Sequence, residues 1–517
     1  MDILEKNGEK HKRKENRRME RDVVTSKQLN SHAGITLVAL VVTIVILIIL
    51  AVISINIVFN DGGIVNQAEK AKEHQANAEL EDNERLGMLD NSIKEYVDGN
   101  KGYIDNELIK SPKISEGMIP VYWNGNNWIK TTTDDSKWYN YTNKEWANVV
   151  LSDATFNENV LDESKSYSQL VWIPRFAYKI TSGWHSTETG TVEVVFVGTD
   201  NKGKDGTLYN GTYSEATNGV LSGGAMKNYI VEPAFDYGDK KLEGFWIGKF
   251  ESSHIGCTTD KTTGQAVFTG NEVMQIKAKV TSWRNITIEN SFTTCLNMNQ
   301  ANNPYGLNSN DNVVDPHMVK NTEWGACAYL SKSKYGKETE EVYINNSSDF
   351  ITGNAGETIS AGISAGITNV YNTTNGQKAS ITGNIYGVYD MSGGNWERVA
   401  AYVNNGNDNL NLYGKSLVDL DNKYKNIYEQ GETDSQELNY GKAASKYGDA
   451  MYETSNGYSS SSASWYSDCA YFTISYNPFF VRGGDYGSLI NGGPFAFGGT
   501  SGDIGSSFGF RVAVVVL

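Results

Sequence analysis

Residues 34–58 read GITLVALVVTIVILIILAVISINIV, and from Ile35 to Val58 this stretch has 24 residues with no charged side chain and no proline. In an α-helix, at about 1.5 Å per residue, they would reach roughly 36 Å. A helix must cover about 30 Å to cross the hydrocarbon core of a bilayer. The alternative, a buried core helix, is usually shorter and less uniformly apolar. The stretch therefore predicts one membrane-spanning helix over residues 35–58.

The residues that precede this helix predict its orientation. Residues 1–34 carry nine Lys and Arg against six Asp and Glu, and basic flanks stay on the cytoplasmic side of a membrane. The chain has a net charge of −16, and with +3 in this tail the remaining residues carry −19. Such an acidic body argues against nucleic acid as a partner, because phosphate binding needs a basic face. The sequence predicts a single-pass protein at the cell membrane, with a cytoplasmic N-terminus and an extracellular head.

The junction at Gly34 carries a more specific pattern. A basic leader ends at Gly34, and Ile35, Thr36 and Leu37 open the apolar stretch. This pattern resembles the type IV prepilin signal, and the resemblance implies cleavage after Gly34 and a methylated new N-terminus at Ile35. Pilins usually have Glu at the fifth mature position, where this chain has Ala39. The resemblance therefore implies either a minor subunit that joins other pilin-like subunits or an anchored protein that does not polymerise.

Changes of composition along the chain predict its domains. Residues 64–97 are rich in Ala, Glu and Lys, which favour helix. From about residue 117 onward, Gly, Asn, Ser and Thr separate short apolar runs typical of strands. The predicted fold class is α+β, with an N-terminal transmembrane, pilin-like α-helix followed by a loop-rich head of short strands. The predicted parts are a cytoplasmic basic leader over 1–34, the transmembrane helix over 35–58, a helical spacer over 59–100, a small β-rich appendage over 101–240 and the head over 241–517.

Six short motifs follow one another in the head. They are GFWIGKFE at 244–251, VTSW at 280–283, NTEWGA at 321–326, GVYDMSGGNWE at 387–397, VRGG at 481–484 and GFR at 509–511. In this order they resemble the formylglycine-generating enzyme (sulfatase-modifying factor) family, which has an elaborated C-type-lectin-like fold. The resemblance covers about residues 240–517 and implies that fold for the head.

Two carboxylates bracket the glycines of the GVYDMSGGNWE motif. Asp390 and Glu397 offer hard oxygen ligands beside turns that expose backbone carbonyls, a combination that suits calcium. The family resemblance implies calcium bound by the side chains of Asp390 and Glu397 and by the backbone of Gly393 and Asn395. The alternative is that both carboxylates accept hydrogen bonds from loop backbone and hold no metal.

The enzymatic activity of that family does not carry over to this chain. The enzyme uses two copper-binding cysteines just after R-G-G, whereas residues 483–517 contain no cysteine. Gly, Ser or Phe cannot replace a thiolate as nucleophile or ligand. The sequence therefore predicts a protein that is not an enzyme, with an enzyme that uses other residues on the same fold as an alternative. The four cysteines of the chain allow up to two disulfides or four buried thiols, and sequence does not choose between them.

The C-terminal segment has the composition of a binding surface. Residues 466–517 contain no Lys, Gln, Glu, Met or Trp and are dense in Tyr, Phe, Ser, Gly and Asn, as adaptable binding loops are. The five missing residues are also those that adenine substitution in an AAY codon cannot reach. This pattern is similar to that of lectin-fold proteins diversified by retroelements near the C-terminus. The predicted contact residues are Tyr471, Tyr476, Phe479, Tyr486, Ile490, Phe495 and Phe497.

Taken together, these patterns predict a bacterial surface protein whose head binds an extracellular protein or a glycan, as a receptor or adhesin. Trp396, Arg482 and Arg511 are predicted to hold the scaffold of this head, because the family motifs around them are intact. A minor structural pilin is the alternative from another class of function.

Overall fold

A computed structural model describes residues 42–50, 110–151, 155–217, 220, 223–300, 303–307 and 314–517. The chain divides into two compact units, Met1–Tyr103 and Ile104–Leu517. In the first unit, the described residues 42–50 are helical and exposed. The predicted leader, its cleavage site at Gly34 and Ile35, and the predicted spacer over 59–100 lie outside the described residues.

The prediction of a membrane-spanning helix is wrong for the part of the chain that the structure describes. No helix among those residues is both long and apolar enough to cross a membrane. Within the predicted span 35–58, the described residues are 42–50, and they are helical. The predictions of a transmembrane, pilin-like helix and of a single-pass protein at the cell membrane are corrected accordingly.

The predicted α+β class is also corrected, because the second unit consists mainly of strands joined by turns. Its described residues contain five short α-helices: α1 Tyr213–Thr217, α2 Ile288–Leu296, α3 Asn321–Ser331, α4 Asp408–Asp419 and α5 Gln436–Lys442. The strands are β1 Met118–Trp123, β2 Trp128–Lys130, β3 Asn148–Leu151, β4 Phe156–Asn157, β5 Val160–Leu161, β6 Ser168–Pro174, β7 Phe176–Ser182, β8 Thr191–Phe196, β9 Ile230–Val231, β10 Asp236–Tyr237, β11 Lys240–Lys241, β12 Gly244–Gly248, β13 Ser253–His254, β14 Met274–Gln275, β15 Val314–Met318, β16 Asn354–Ala355, β17 Asn369–Val370, β18 Trp396–Asn404, β19 Asn426–Glu429, β20 Ser459–Ser460, β21 Ala470–Tyr471, β22 Phe479–Arg482, β23 Phe497–Thr500, β24 Phe508–Phe510 and β25 Val512–Val516.

The largest sheet has nine strands in the order β15-β25-β12-β6-β3-β1-β2-β5-β4. Strand β6 is buried at every residue, which indicates that both faces of the sheet are covered there. It pairs with β12 in an antiparallel register that sets Trp172 opposite Trp246. The predicted boundary at residue 240 therefore separates two neighbouring strands of this sheet, β6 and β12, and residues on both sides of it belong to one core.

The second large sheet brings three sequence motifs together. Its strands run in the order β19-β18-β22-β23-β21-β20, and β24 also pairs with β18. Glu397 on β18 lies opposite Arg482 on β22 and opposite Gly509 on β24. Backbone pairing thus sets the GVYDMSGGNWE, VRGG and GFR motifs side by side, although they are far apart in sequence.

Helix α3 carries the NTEWGA motif and is buried at all of its residues. Its Glu323 accepts the backbone N–H of Lys320 at 2.9 Å, so the helix is capped by its own carboxylate. The Trp324 indole donates to the carbonyl of Pro494 at 2.7 Å. This hydrogen bond attaches the C-terminal segment to helix α3.

The four cysteines, whose pairing the sequence left open, are buried free thiols.

Candidate functional site

The turn that contains the predicted metal ligands is fixed by hydrogen bonds to Asp390. This residue has a left-handed backbone, with φ of 62°. Its carboxylate accepts the N–H of Gly353 at 2.9 and 3.1 Å, the N–H of Glu251 at 3.3 Å and the side-chain amide of Asn345 at 2.8 Å. Asp390 therefore ties three separate chain segments together.

Glu397 forms a fully buried ion pair with Arg511. The Arg511 Nε donates to Glu397 Oε2 at 2.9 Å, and a terminal nitrogen of the guanidinium donates to the other carboxylate oxygen. The same guanidinium donates to the carbonyls of Gly248 at 2.7 Å and Tyr389 at 2.9 Å. Arg511 thus joins β12, the turn of the GVYDMSGGNWE motif and β18.

Asn395 contacts a third carboxylate, Glu251, which sequence reasoning did not include in the site. Its backbone N–H and its side-chain amide both donate to Glu251, each at 2.6 Å. A Cβ on Gly394 would lie 2.5 Å from Glu251 Oε1, and φ is 71° there. Only glycine allows this approach. In the sequence, the indication that Glu251 belongs to the site was its place as the last residue of the GFWIGKFE motif.

The three carboxylates are buried close together, and their pKa values are displaced upward. Burial raises the pKa of Glu397 to about 7 despite its pairing with Arg511. Burial, and then the charges of Glu397 and Asp390, raise the pKa of Glu251 well above its ordinary value. Burial also raises the pKa of Asp390, against the opposing effect of Arg511. This cluster therefore favours protonation of at least part of its carboxylates at neutral pH.

The contacts of Asp390 and Glu397 do not fit a calcium site. Calcium needs six to eight oxygen ligands, whereas here backbone N–H groups, an amide and a guanidinium point at the carboxylates. Within the described residues, no group of three or more His, Cys, Asp or Glu side chains is arranged to hold a metal ion. The alternative interpretation, in which both carboxylates hold loops in place, accounts for every contact that these two side chains make.

Three of the seven predicted ligand-contacting residues are in the core. Phe479, Phe495 and Phe497 are each 0% exposed, so the prediction that they contact a ligand is wrong. The Phe479 ring packs directly against Gly414, where a Cβ atom would lie only 2.5 Å from the ring. Phe495 lies against Trp465, with the ring centres 5.3 Å apart. The many aromatic residues of this segment therefore include core residues as well as exposed ones.

The other four predicted residues are accessible. Tyr476 is 60% exposed, Tyr471 40% and Ile490 37%. Tyr486 is partly buried, with its ring edge-on to Phe350 at 5.0 Å. These four remain candidates for ligand contact.

A tight turn presents two of the accessible apolar side chains, Leu489 and Ile490. Asp485 builds this turn: its carboxylate accepts the N–H of Gly487 and the hydroxyl of Ser488, each at 3.0 Å. The Ser488 hydroxyl in turn accepts the N–H of Asp485 at 2.9 Å. The turn over 485–491 is thus held by its own polar side chains, which leaves Leu489 and Ile490 exposed at 40% and 37%.

The turn over 485–491 is connected to a second turn, over 466–471, and both contain non-glycine residues with a left-handed backbone. Leu489 has φ of 54°, and the consecutive residues Tyr466 and Ser467 have φ of 63° and 67°. The Cys469 N–H donates to the Asn491 carbonyl at 2.9 Å, and the Asn491 side chain donates to the Ser467 carbonyl at 3.0 Å. Three non-glycine residues in the left-handed region are thus gathered in two connected turns, and such strain is common at ligand-binding sites. We call residues 466–471 and 485–491 the paired turns.

Ile363 adds to the accessible apolar surface beside the paired turns. It is 60% exposed, and a Cβ on Gly487 would meet its Cδ1 atom at 3.5 Å. Sequence reasoning missed Ile363 because it lies far upstream, in a loop rich in Gly, Ala and Ser. In the sequence, Ile363 is an isolated apolar residue in a loop, and this alone does not indicate a contact surface.

Asp468, within the paired turns, and Lys332, beside them, are both buried. Burial lowers the pKa of Lys332 to about 7 and raises that of Asp468 well above its ordinary value. The Lys332 amine donates to the Glu340 carbonyl at 2.5 Å and lies 3.9 Å from the centre of the Tyr466 ring. Asp468 accepts the N–H of Phe495 at 2.8 Å. At 3% exposure, Lys332 is covered, and its amine packs against the Tyr466 ring.

Compared with models of known protein families and with characterised proteins, the chain matches none of them. The resemblances described above therefore rest on the quoted motifs, and function has to be argued from the geometry of the described residues.

Proposed function

We propose that the second unit is a binding module for a protein ligand, in the manner of a receptor or adhesin, and that the paired turns with Ile363 form its contact surface. The observation that carries this proposal is Leu489, a branched side chain that is 40% exposed on a left-handed backbone.

Leu489 carries a conformational cost that its partial burial does not fully offset. A non-glycine residue in the left-handed region costs about 1–2 kcal/mol. A leucine recovers such a cost by burial, which is worth about 1.5–3 kcal/mol when complete, but Leu489 remains 40% exposed and recovers only part of it. Glycine or asparagine would suit the same backbone better. A residue that lowers the stability of the fold and faces outward is expected where function needs an apolar contact.

The chemistry of the surface favours a protein over a glycan. Leu489, Ile490 and Ile363 are aliphatic, and the hydrogen-bonding groups of Asp485 and Ser488 are used within the turn. Saccharides need uncommitted polar groups as well as apolar contact, whereas apolar side chains of another protein need only a complementary apolar surface. Tyr471, within the paired turns, supplies an amphipathic ring typical of protein-binding loops.

The proposal is tested with a displayed library of random peptides, selected on the purified full chain. We expect enriched peptides to bind the unmodified chain and to lose at least about tenfold in affinity for the double variant Leu489→Gly/Ile490→Ser, because two apolar contacts of roughly 1 kcal/mol each are removed.

Leu412→Ser is the matched control, since Leu412 is 66% exposed on helix α4, outside the paired turns. Peptides should bind this control as they bind the unmodified chain. Peptides that bind the double variant with unchanged affinity, or a selection with no enrichment over an empty surface, would overturn the proposal.

A further inference from the structure

A small polar pocket lies apart from the paired turns. It is formed by the long loop that joins β13 to β14 and by the C-terminal end of helix α2. Its volume is about 280 Å³. The pocket shares none of its lining with the paired turns, so it carries a separate inference.

Thr294 is the most buried of the polar residues that line this pocket. Thr294 is 5% exposed, and its hydroxyl has no hydrogen-bond partner among the described residues. The neighbouring hydroxyls of helix α2 behave differently: Ser291 donates to the Thr287 carbonyl at 2.9 Å, and Thr293 donates to the Glu289 carbonyl. A buried hydroxyl without a partner is unfavourable, so the Thr294 hydroxyl calls for a partner that enters the pocket.

The rim of the pocket offers further polar groups. Glu272 is held in place by the N–H of Thr269 at 3.0 Å, the hydroxyl of Thr269 at 2.7 Å and the N–H of Gly270 at 3.1 Å. The side-chain amides of Asn271 and Asn297 are exposed and have no partner among the described residues. An amide both donates and accepts, so each can pair with a hydroxyl in either direction.

The rest of the lining is apolar and aromatic. Met274 lines the pocket and is 2% exposed. Phe268 is partly exposed beside it, with its ring centre 6.1 Å from that of Trp283. Neither Lys nor Arg is among the described residues that line the pocket, which disfavours an anionic ligand. The combination of one ring, two free amides and a buried hydroxyl suits a neutral, amphipathic ligand with several hydroxyl groups.

We propose that this pocket binds one unit of a neutral saccharide. The Thr294 hydroxyl and the amides of Asn271 and Asn297 pair with sugar hydroxyls, and an apolar face of the sugar ring packs against Phe268. No covalent chemistry is involved. The site is independent of the protein-binding surface proposed above, and neither depends on the other.

The test is saturation-transfer NMR on the purified full chain. The probes are the methyl glycosides of glucose, galactose, mannose and N-acetylglucosamine, each at millimolar concentration. We expect at least one of them to receive saturation from the protein. In Thr294→Val, affinity for that glycoside should fall about fivefold, as expected when one hydrogen bond to a ligand is lost.

Thr293→Val is the matched control, because it removes a hydroxyl that is already bonded within the helix. A second variant, Asn297→Ala, changes an exposed side chain and keeps the test decisive if Thr294→Val unfolds the protein. The proposal is overturned if none of the four glycosides binds. It is equally overturned if Thr294→Val and Asn297→Ala bind as tightly as the unmodified chain, or if Thr293→Val weakens binding as much as Thr294→Val does.

Discussion

Glu453 should make the stability of the second unit fall as the pH rises, and Glu453→Gln should remove the part of this fall that the Glu453 carboxyl contributes. The Glu453 side chain is completely buried. It accepts the hydroxyl of Tyr178 at 2.9 Å, the hydroxyl of Tyr329 and the N–H of Gly448 at 3.2 Å. It therefore joins β7, helix α3 and the turn at residue 448 inside the core.

The magnitude follows from the pKa of this carboxyl. Burial raises the pKa of Glu453 from 4.5 to about 7. The folded state therefore keeps a proton that the unfolded state has released, so the stability contribution is fully present below about pH 4.5 and is lost as the pH rises through about 7. At about 1.4 kcal/mol per pKa unit, this displacement corresponds to about 3 kcal/mol.

Glutamine has nearly the shape of the protonated acid and stays neutral. Its carbonyl oxygen can accept the bonds from Tyr329 and Gly448, and its NH₂ can donate to the Tyr178 hydroxyl, which rotates to accept. The buried carboxyl of Glu232 responds in the same direction, because burial and then the charge of Glu453 raise its pKa well above the ordinary value. Glu453→Gln should therefore gain about 3 kcal/mol relative to the unmodified chain between about pH 4.5 and about pH 8.

Urea unfolding of both proteins at a series of pH values, followed by tryptophan fluorescence, measures this difference. Glu437→Gln serves as the control, because Glu437 is an exposed residue on helix α5, and its unfolding curves should track the unmodified chain at every pH. If the free-energy difference between Glu453→Gln and the unmodified chain is the same at both ends of the pH range, the carboxyl does not titrate as argued and the reasoning fails.

The remaining predictions concern strain, a buried ion pair and the surface aromatics. Leu489→Gly should raise the free energy of unfolding by about 1 kcal/mol, because it relieves the left-handed strain; a urea melt that shows a loss would contradict the strain argument. Arg511→Met should lower it by about 3–5 kcal/mol, since Glu397 is left buried without its cation; thermal unfolding that moves by only a degree or two would speak against this. In the same assay, Phe479→Ala should cost about 3–5 kcal/mol and Tyr476→Ala less than about 0.5 kcal/mol, and equal losses would show that exposure does not separate the two.

Some features of this protein could be predicted from the sequence because they depend on local chemistry. Short strands such as FWIG at 245–248 arise from aromatic and β-branched residues bounded by glycine. The left-handed backbone of Gly393 and Gly394 follows from the glycine pair in the motif turn. These properties are set by a few neighbouring residues, so a single sequence contains them.

Other features were decided only by the tertiary structure. An aromatic side chain has the same composition signal in a core and on a surface, so nothing local distinguishes buried Phe495 from exposed Tyr476. Asp390 and Glu397 have the spacing of metal ligands, but the guanidinium of Arg511 arrives from 114 residues beyond Glu397 and takes the place of a cation. The nine-stranded sheet likewise joins β6 to β12 across the predicted domain boundary. In each case the deciding partner is distant in sequence, and only the folded chain determines which side chains are covered and which charges are paired.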